Sequence, residues 1–341
     1  MFALALALDT GGDVSSRHDA NRGSDLPGLL HGCGGVDVEV LTMDTSFRAN
    51  VDVGGKLALL WLDTGAMGSD FYLDAAEHLG LTVGQVNGRS VTLVDSSGVE
   101  VELTKFATGV HYKLGPARCR VNHVVCLPRA DRPESPGVIN VSTRIDGHLG
   151  MDVMQHFVFW FDAPNKQLRV MTADVVESHI AERGYAVGQR IRLGGDASRP
   201  MARVRLEGAD EIELLLDTGA DSTSLPAGLA EQLSLPSGAQ LERKRREAEE
   251  RAMREQLEGQ GLANVKVTVG QDDGSRVGVH GVATGPRSLF HLRSLRLGDR
   301  EVRDLIVVED AGSPALGRDV LGRFNWILHG PRHELWLLDQ R

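Results

Sequence analysis

Little in this sequence points to a membrane, a metal or a nucleic acid. No stretch reaches the roughly 20 apolar residues that a membrane-spanning helix needs. The apolar opening Met1-Phe2-Ala3-Leu4-Ala5-Leu6-Ala7-Leu8 is short and lacks a basic lead, so it makes a poor export signal as written. Export and retention in the cytoplasm both stay open. Cysteine is scarce. Cys33, Cys119 and Cys126 are an odd count, which is no disulfide framework. Cys119 and Cys126 could face each other across adjacent strands, but reduced structural thiols are the simpler reading. No HExxH or CxxC pattern occurs, and His78, His111, His123 and His148 fall at scattered spacings. Structural histidines and no metal are therefore expected. Basic charge is outweighed: 37 Lys and Arg face 47 Asp and Glu, a net charge of −10. That argues against a partner held by bulk charge, such as nucleic acid. Gly54-Gly55 and Gly194-Gly195 follow no nucleotide-binding strand–helix pattern, so no phosphate cofactor is expected either.

What the chain does have is glycine and repetition. Its 40 glycines suit a turn-rich β protein, and 341 residues are enough for two domains with cores of their own. One stretch occurs twice. Leu59-Leu60-Trp61-Leu62-Asp63-Thr64-Gly65-Ala66 is matched by Leu214-Leu215-Leu216-Asp217-Thr218-Gly219-Ala220, 154 residues on. In each, an apolar run reads as a buried strand that ends in an acid, a hydroxyl and a glycine. A turn and a short amphipathic helix follow, over 74–79 and 227–233. A carboxylate at the end of a buried strand is costly unless its charge is shared or hydrogen-bonded. Two copies with the same flanks look like one site made from two halves.

These residues resemble the aspartic proteases, most closely the retropepsin-like branch. Leu215-Leu216-Asp217-Thr218-Gly219-Ala220-Asp221 is close to that family's signature. The second family element, two apolar residues and a glycine before a short helix, is matched by Leu149-Gly150-Met151-Asp152-Val153-Met154 and Leu316-Gly317-Arg318-Asp319-Val320-Leu321. His148 and Ala315 stand at the leading positions, and His148 departs from the apolar preference. The resemblance covers roughly residues 36–341. It implies a mainly β chain with two tandem acid-protease β-barrel lobes, a pseudo-dimer in one polypeptide, and hence a monomer. The implied activity is hydrolysis of peptide bonds, with a peptide or protein as substrate and no cofactor.

Residues 9–35 are rich in Gly, Asp, Ser and Arg, and 1–35 read as a disordered leader. Asp9-Thr10-Gly11 lies there with no strand before it or helix after it, and is a decoy. The first lobe is expected over 36–172, a linker over 173–199 and the second lobe over 200–341. Val36–Val40, 47–53 and 57–62 alternate as strands, with Gly54-Gly55 as a hairpin turn. The second copy repeats this over 201–206 and 211–216. Strands 157–161 and 326–328 close the repeats, with 167–171 and 334–338 pairing back. Two further hairpins are expected, 90–94 with 99–103 and 265–269 with 276–279. By the resemblance they are candidates for the flaps over a substrate, with Ser96, Ser97, Gly98, Asp273 and Gly274 at or near the tips. A plain surface turn is the alternative for each. Glu242–Glu255 has eleven charged residues in fourteen, and opposite charges recur four apart, as at Arg243 and Glu247. A solvated helix over 239–258 follows.

Paired acids suit amide hydrolysis for a physical reason. Two carboxylates about 3 Å apart cannot both ionise in a poorly solvated pocket, so they share one proton. The charged one can take a proton from water while the other polarises the carbonyl. Asp63 and Asp217 are the catalytic candidates. Thr64 and Thr218, by the resemblance, cross-link the two loops through their hydroxyls. Gly65 and Gly219 let backbone approach the carboxylates, where a Cβ would crowd them. The halves also differ. By the resemblance the positions of Asp221 and Arg318 meet behind the second loop, so an ion pair is expected there, with Met67 and Met151 in apolar contact at the matching positions. The rival reading is a catalytically weak or inactive peptide-binding scaffold. A third is a processing enzyme restricted to one partner protein.

Overall fold

The computed structural model describes residues 39–43, 47–86, 90–94, 100–114, 117–128, 145–239, 276–277, 283–284, 288–310 and 313–340, with six separate residues between 241 and 251. The protein is mainly β, and its strands follow the apolar pattern. Along Lys56–Leu62, Ala58, Leu60 and Leu62 are fully buried while Leu59 and Trp61 are half-buried. Each large apolar side chain so buried stabilises the fold by about 1.5–3 kcal/mol.

The first half forms a seven-stranded sheet. Arg48–Val53 pairs with Lys56–Leu62 through the Gly54-Gly55 turn, and its other edge meets Lys105–Leu114. That second pairing closes six of the seven strands into a barrel, with Val83–Gln85 appended. In the second half six strands, from Met201–Leu206 to Ala315–Leu316, nearly close in the same way. The two aspartate strands have identical settings. Gly147–Leu149 lies parallel to Lys56–Leu62, with Leu149 opposite Leu62. Ala315–Leu316 lies parallel to Glu211–Leu216, with Leu316 opposite Leu216. Each aspartate therefore leaves its strand beside the turn that starts a short helix, Met151–Met154 or Arg318–Leu321.

A third sheet takes strands from both halves. Its order is Glu39–Thr42, Gln167–Met171, Val158–Asp162, Asn325–His329, Glu334–Gln340 and Tyr185–Arg192. The last apolar strand of one repeat pairs with that of the other, Trp160 opposite Ile327. Both strands are near-continuous apolar runs because both faces are covered. On one face Phe161 stacks on Trp326 with ring centres 4.2 Å apart. On the other, Trp160, Ile327 and Trp336 pack with Val176 and Ile180 of helix Val176–Glu182.

The segment expected as a linker, 173–199, holds helix Val176–Glu182 and a strand as well. Tyr185–Arg192, inside 173–199, is the edge strand paired with Glu334–Gln340. Its register shifts between Val187 and Gln189, a bulge at Gly188 that breaks the period-two pattern and hides the strand in the sequence. The first strand is described from Glu39 to Thr42, toward the end of the expected 36–40.

Val91–Val94 and Glu100–Leu103 pair as the first expected hairpin. Its tip, with Ser96, Ser97 and Gly98, lies outside the described residues, as do Asp273, Gly274 and 265–269. Arg276–Val277 pairs with Ala283–Thr284, a partner the sequence did not suggest. The Asp-Thr-Gly at 9–11 and Cys33 also lie outside them. In the charged segment, residues 239, 241, 243, 244, 247, 248 and 251 are helical, and Arg243 meets Glu247 at 3.8 Å. Cys119 and Cys126 are buried free thiols. Among the described residues no helix is long and apolar enough to cross a membrane.

Candidate active site

Where the two aspartate strands end, the halves touch through matched loops. Backbone bonds hold each loop to the glycine element of its own half. Asp63 N–H donates to Leu149 O at 2.9 Å, and Met151 N–H to Ala66 O at 2.9 Å. In the second half Asp217 N–H donates to Leu316 O at 3.1 Å, and Arg318 N–H to Ala220 O at 2.8 Å. Thr64 and Thr218 then join the loops. Each backbone N–H donates to the other's Oγ1 at 3.0 Å. The Thr64 hydroxyl donates to Leu216 O at 2.6 Å, and the Thr218 hydroxyl donates to Leu62 O. Both threonines are fully buried, so these bonds are not traded for water.

The clamp brings the two acids together. An ideal Cβ on Gly65 would lie 2.5 Å from Asp217 Cγ, and one on Gly219 would lie 2.6 Å from Asp63 Cγ. Each carboxylate thus rests on the opposite glycine. Asp63 and Asp217 are 3% and 2% exposed, so both are sheltered from bulk water. Each Oδ1 accepts two backbone N–H bonds: Gly65 at 2.9 Å and Ala66 at 3.1 Å for Asp63, Gly219 at 2.8 Å and Ala220 at 3.0 Å for Asp217. Burial, and then the charge of Asp63, push Asp217 up to about 7. Burial raises Asp63 as well, opposed by the nearby His148 charge and by the Gly65 N–H. Two carboxyls that both favour the protonated form can hold a shared proton near neutral pH.

No protein-family model matches this chain, and no curated protein matches it either.

Behind the loops lies a second matched pair that the sequence reading missed. The Ser69 hydroxyl and N–H both donate to Asp152 Oδ1, at 2.7 and 2.9 Å. The Thr223 hydroxyl and N–H do the same to Asp319 Oδ1, at 2.7 and 2.9 Å. The same hydroxyl oxygens accept from Gly150 N–H at 3.0 Å and Gly317 N–H at 3.1 Å. The signal was present: a hydroxyl residue stands six positions after each acid, and an aspartate two after each glycine. Burial, against these hydrogen bonds, pushes Asp152 up to about 6 and raises Asp319.

Of the expected differences between the halves, the Asp221–Arg318 ion pair is present. It is not buried: Arg318 is 9% exposed and Asp221 is 79% exposed. Arg318 is held instead by its surroundings, 5.7 Å over the Trp61 ring and 3.4 Å from Thr218 O. At the matching positions Met151 is buried and Met67 is half-buried, and the bond between the segments is Asp152 N–H to Met67 O at 3.0 Å. His148 is not a bland histidine. It is buried, its Nδ1 lies 2.8 Å from Asp70 Oδ1, and it stacks on Trp61. Among the described residues no three His, Cys, Asp or Glu side chains gather in a way that could hold a metal ion.

Proposed function

We propose that this chain is an aspartic endopeptidase of the retropepsin-like kind, with two acid-protease lobes in tandem and the cleavage site between them. The observation that carries this reading is the mutual packing of Gly65 on the Asp217 carboxylate and Gly219 on that of Asp63. It confines two buried acids to one small volume. Inert structural aspartates would not need that crowding, and it raises the energy of the doubly charged state.

In the proposed reaction a water lies between the acids. The charged carboxylate takes a proton as the water oxygen attacks the peptide carbonyl carbon. The protonated one gives its proton to the carbonyl oxygen, so a neutral gem-diol forms. Collapse moves the first proton to the amide nitrogen as the C–N bond breaks, and a hydroxyl proton returns to the second carboxylate. The Thr64–Thr218 clamp holds the spacing through all steps, so no loop reorganisation is needed at the moment of reaction. The substrate is an extended segment of peptide or protein, and one polypeptide supplies both acids, so a monomer suffices.

The test is peptide-library cleavage across about pH 3 to pH 8, with wild type, Asp63→Asn and Asp217→Asn. Each variant should lose about three orders of magnitude or more in kcat/KM. A statine-type inhibitor should block the wild type. Full activity in either variant would exclude the shared-proton mechanism.

A further inference from the structure

The two halves solve the same packing problem with different chemistry. In the first half Trp61, His148 and Asp70 lie in one row across three neighbouring strands, since His148 is the backbone partner of both Trp61 and Asp70. In the second half Leu215 and Ala315 are the matching partners, with Ser224 on the third strand. There the Ser224 hydroxyl oxygen accepts from Ala315 N–H at 2.9 Å, and no charge is involved. An ion pair at this place is therefore not required by the fold. Burying one costs several kcal/mol per ion before attraction is counted. It stands only in the half that carries Asp63.

We propose that His148, held as an imidazolium by Asp70, is a positioning residue that fixes Asp63 as the charged member of the aspartate pair and leaves the shared proton on Asp217. The geometry is specific. His148 Nδ1 lies 2.8 and 3.0 Å from the two Asp70 oxygens, with both side chains buried. Trp61 stacks on the imidazole with ring centres 5.6 Å apart, and Tyr72 tilts against it at 6.2 Å. Trp61 precedes Asp63 by two residues, so the stack ties the imidazole to the strand that ends in the acid.

Other charges bear on the group from each side. Burial opposes the imidazolium, the Asp70 charge and hydrogen bond and then the Asp63 charge favour it, and the balance is raised above the usual histidine value. Arg318 lies beyond Trp61, and Asp152, Tyr112 and Cys126 on neighbouring elements feel the Asp70 charge. On Asp63 the His148 charge lowers the carboxyl and the Asp70 charge raises it, with the histidine the larger effect. Asp217 is raised by burial and then by the Asp63 charge, and the hydrogen bonds from Gly219 and Ala220 N–H oppose this. With the cation built only into the half that carries Asp63, the roles would follow: Asp63 takes the proton from water, and Asp217 protonates the carbonyl oxygen.

This assignment rests on the endopeptidase reading, but its electrostatic core can be measured without substrate. Carboxyl carbon NMR titrations would be run on the full chain as wild type, His148→Asn and the double variant Asp70→Ser/His148→Ala. The asparagine retains an N–H for Asp70 without the charge. The double variant installs the arrangement the second half already uses, which guards against a folding failure. The Asp63 midpoint should rise by about one pH unit in His148→Asn, where the imidazolium charge is lost. It should rise by less in the double variant. The acid limb of kcat/KM should move up by the same amounts. An unmoved Asp63 midpoint overturns the inference, even if the melting temperature falls, because a merely structural pair would do only that. If wild type cleaves no peptide, the endopeptidase reading fails, and the NMR titration still decides whether His148 controls Asp63.

Discussion

Gly65 lies so close to Asp217 that a Cβ there would meet all three carboxylate atoms within 2.5–2.7 Å. Gly219 meets Asp63 in the same way, so the two halves interlock by glycine and carboxylate at one point. Either the loop or the acid must move if a methyl group is added. Gly65→Ala and Gly219→Ala should each destabilise the protein by about 1–3 kcal/mol. They should also cut peptide turnover at least about a hundredfold, because the displaced acid no longer meets its partner. Chemical denaturation and kcat/KM on one peptide check both effects.

Thr64→Val keeps the shape of the side chain and removes its oxygen. It strands the Leu216 carbonyl and the Thr218 N–H, both in the interior. The expected loss is about 2–5 kcal/mol, and Thr218→Val should match it by symmetry. Thr64→Ser restores the oxygen and should recover most of that loss. A valine variant as stable as wild type would mean the clamp contributes nothing.

The Asp221–Arg318 pair should behave unequally. Asp221 is largely exposed, so Asp221→Asn should cost no more than about 1 kcal/mol. Arg318→Ala removes packing over Trp61 and the contact with Thr218 O as well, and should cost clearly more. Equal costs, read from denaturation midpoints, would contradict this division.

The stability contributed by the raised carboxyls should fall as pH rises from about 4 toward 8, while His156, His179 and His329, lowered by burial, act in the opposite sense. Asp152, Asp217 and Asp319 have folded pKa values above the usual carboxylate value, so the folded state holds more protons than the unfolded chain in that window. Each proton is favoured until pH passes the folded value, about 6 for Asp152 and about 7 for Asp217. His148 has the same sign, since its raised value means stability present in acid and lost in base. Asp152→Asn keeps an Oδ1 for both Ser69 bonds without a charge. It should be neutral near pH 4 and stabilising by about 1 kcal/mol near pH 8, after a discount for partial exposure. Thermal melts of wild type and variant at the two pH values measure this, and a variant that gains nothing over wild type near pH 8 would overturn it.

Much of the architecture was legible in the residues. The repeat of an apolar run and Asp-Thr-Gly located both loops, and the strands beside them formed within a residue or two of their alternation. Local pattern suffices there because each strand's own side chains decide which face is buried. The edge strand Tyr185–Arg192 was missed because a bulge at Gly188 interrupts its period. The departure of His148 from the apolar preference was visible, but its partner Asp70 lies 78 residues away and no local pattern joins the two.

The amino-acid order by itself determined that there are two copies of one unit, where each acid sits, and which hydroxyl and glycine follow it. Only the tertiary structure decided what those residues meet. The threonines reach across 154 residues, the glycines face the opposite acids, and the last apolar strands of the two copies pair with each other. The reason is physical. Secondary structure is set by periodicity over a few residues, while a carboxyl group's charge is set by whatever folding packs around it.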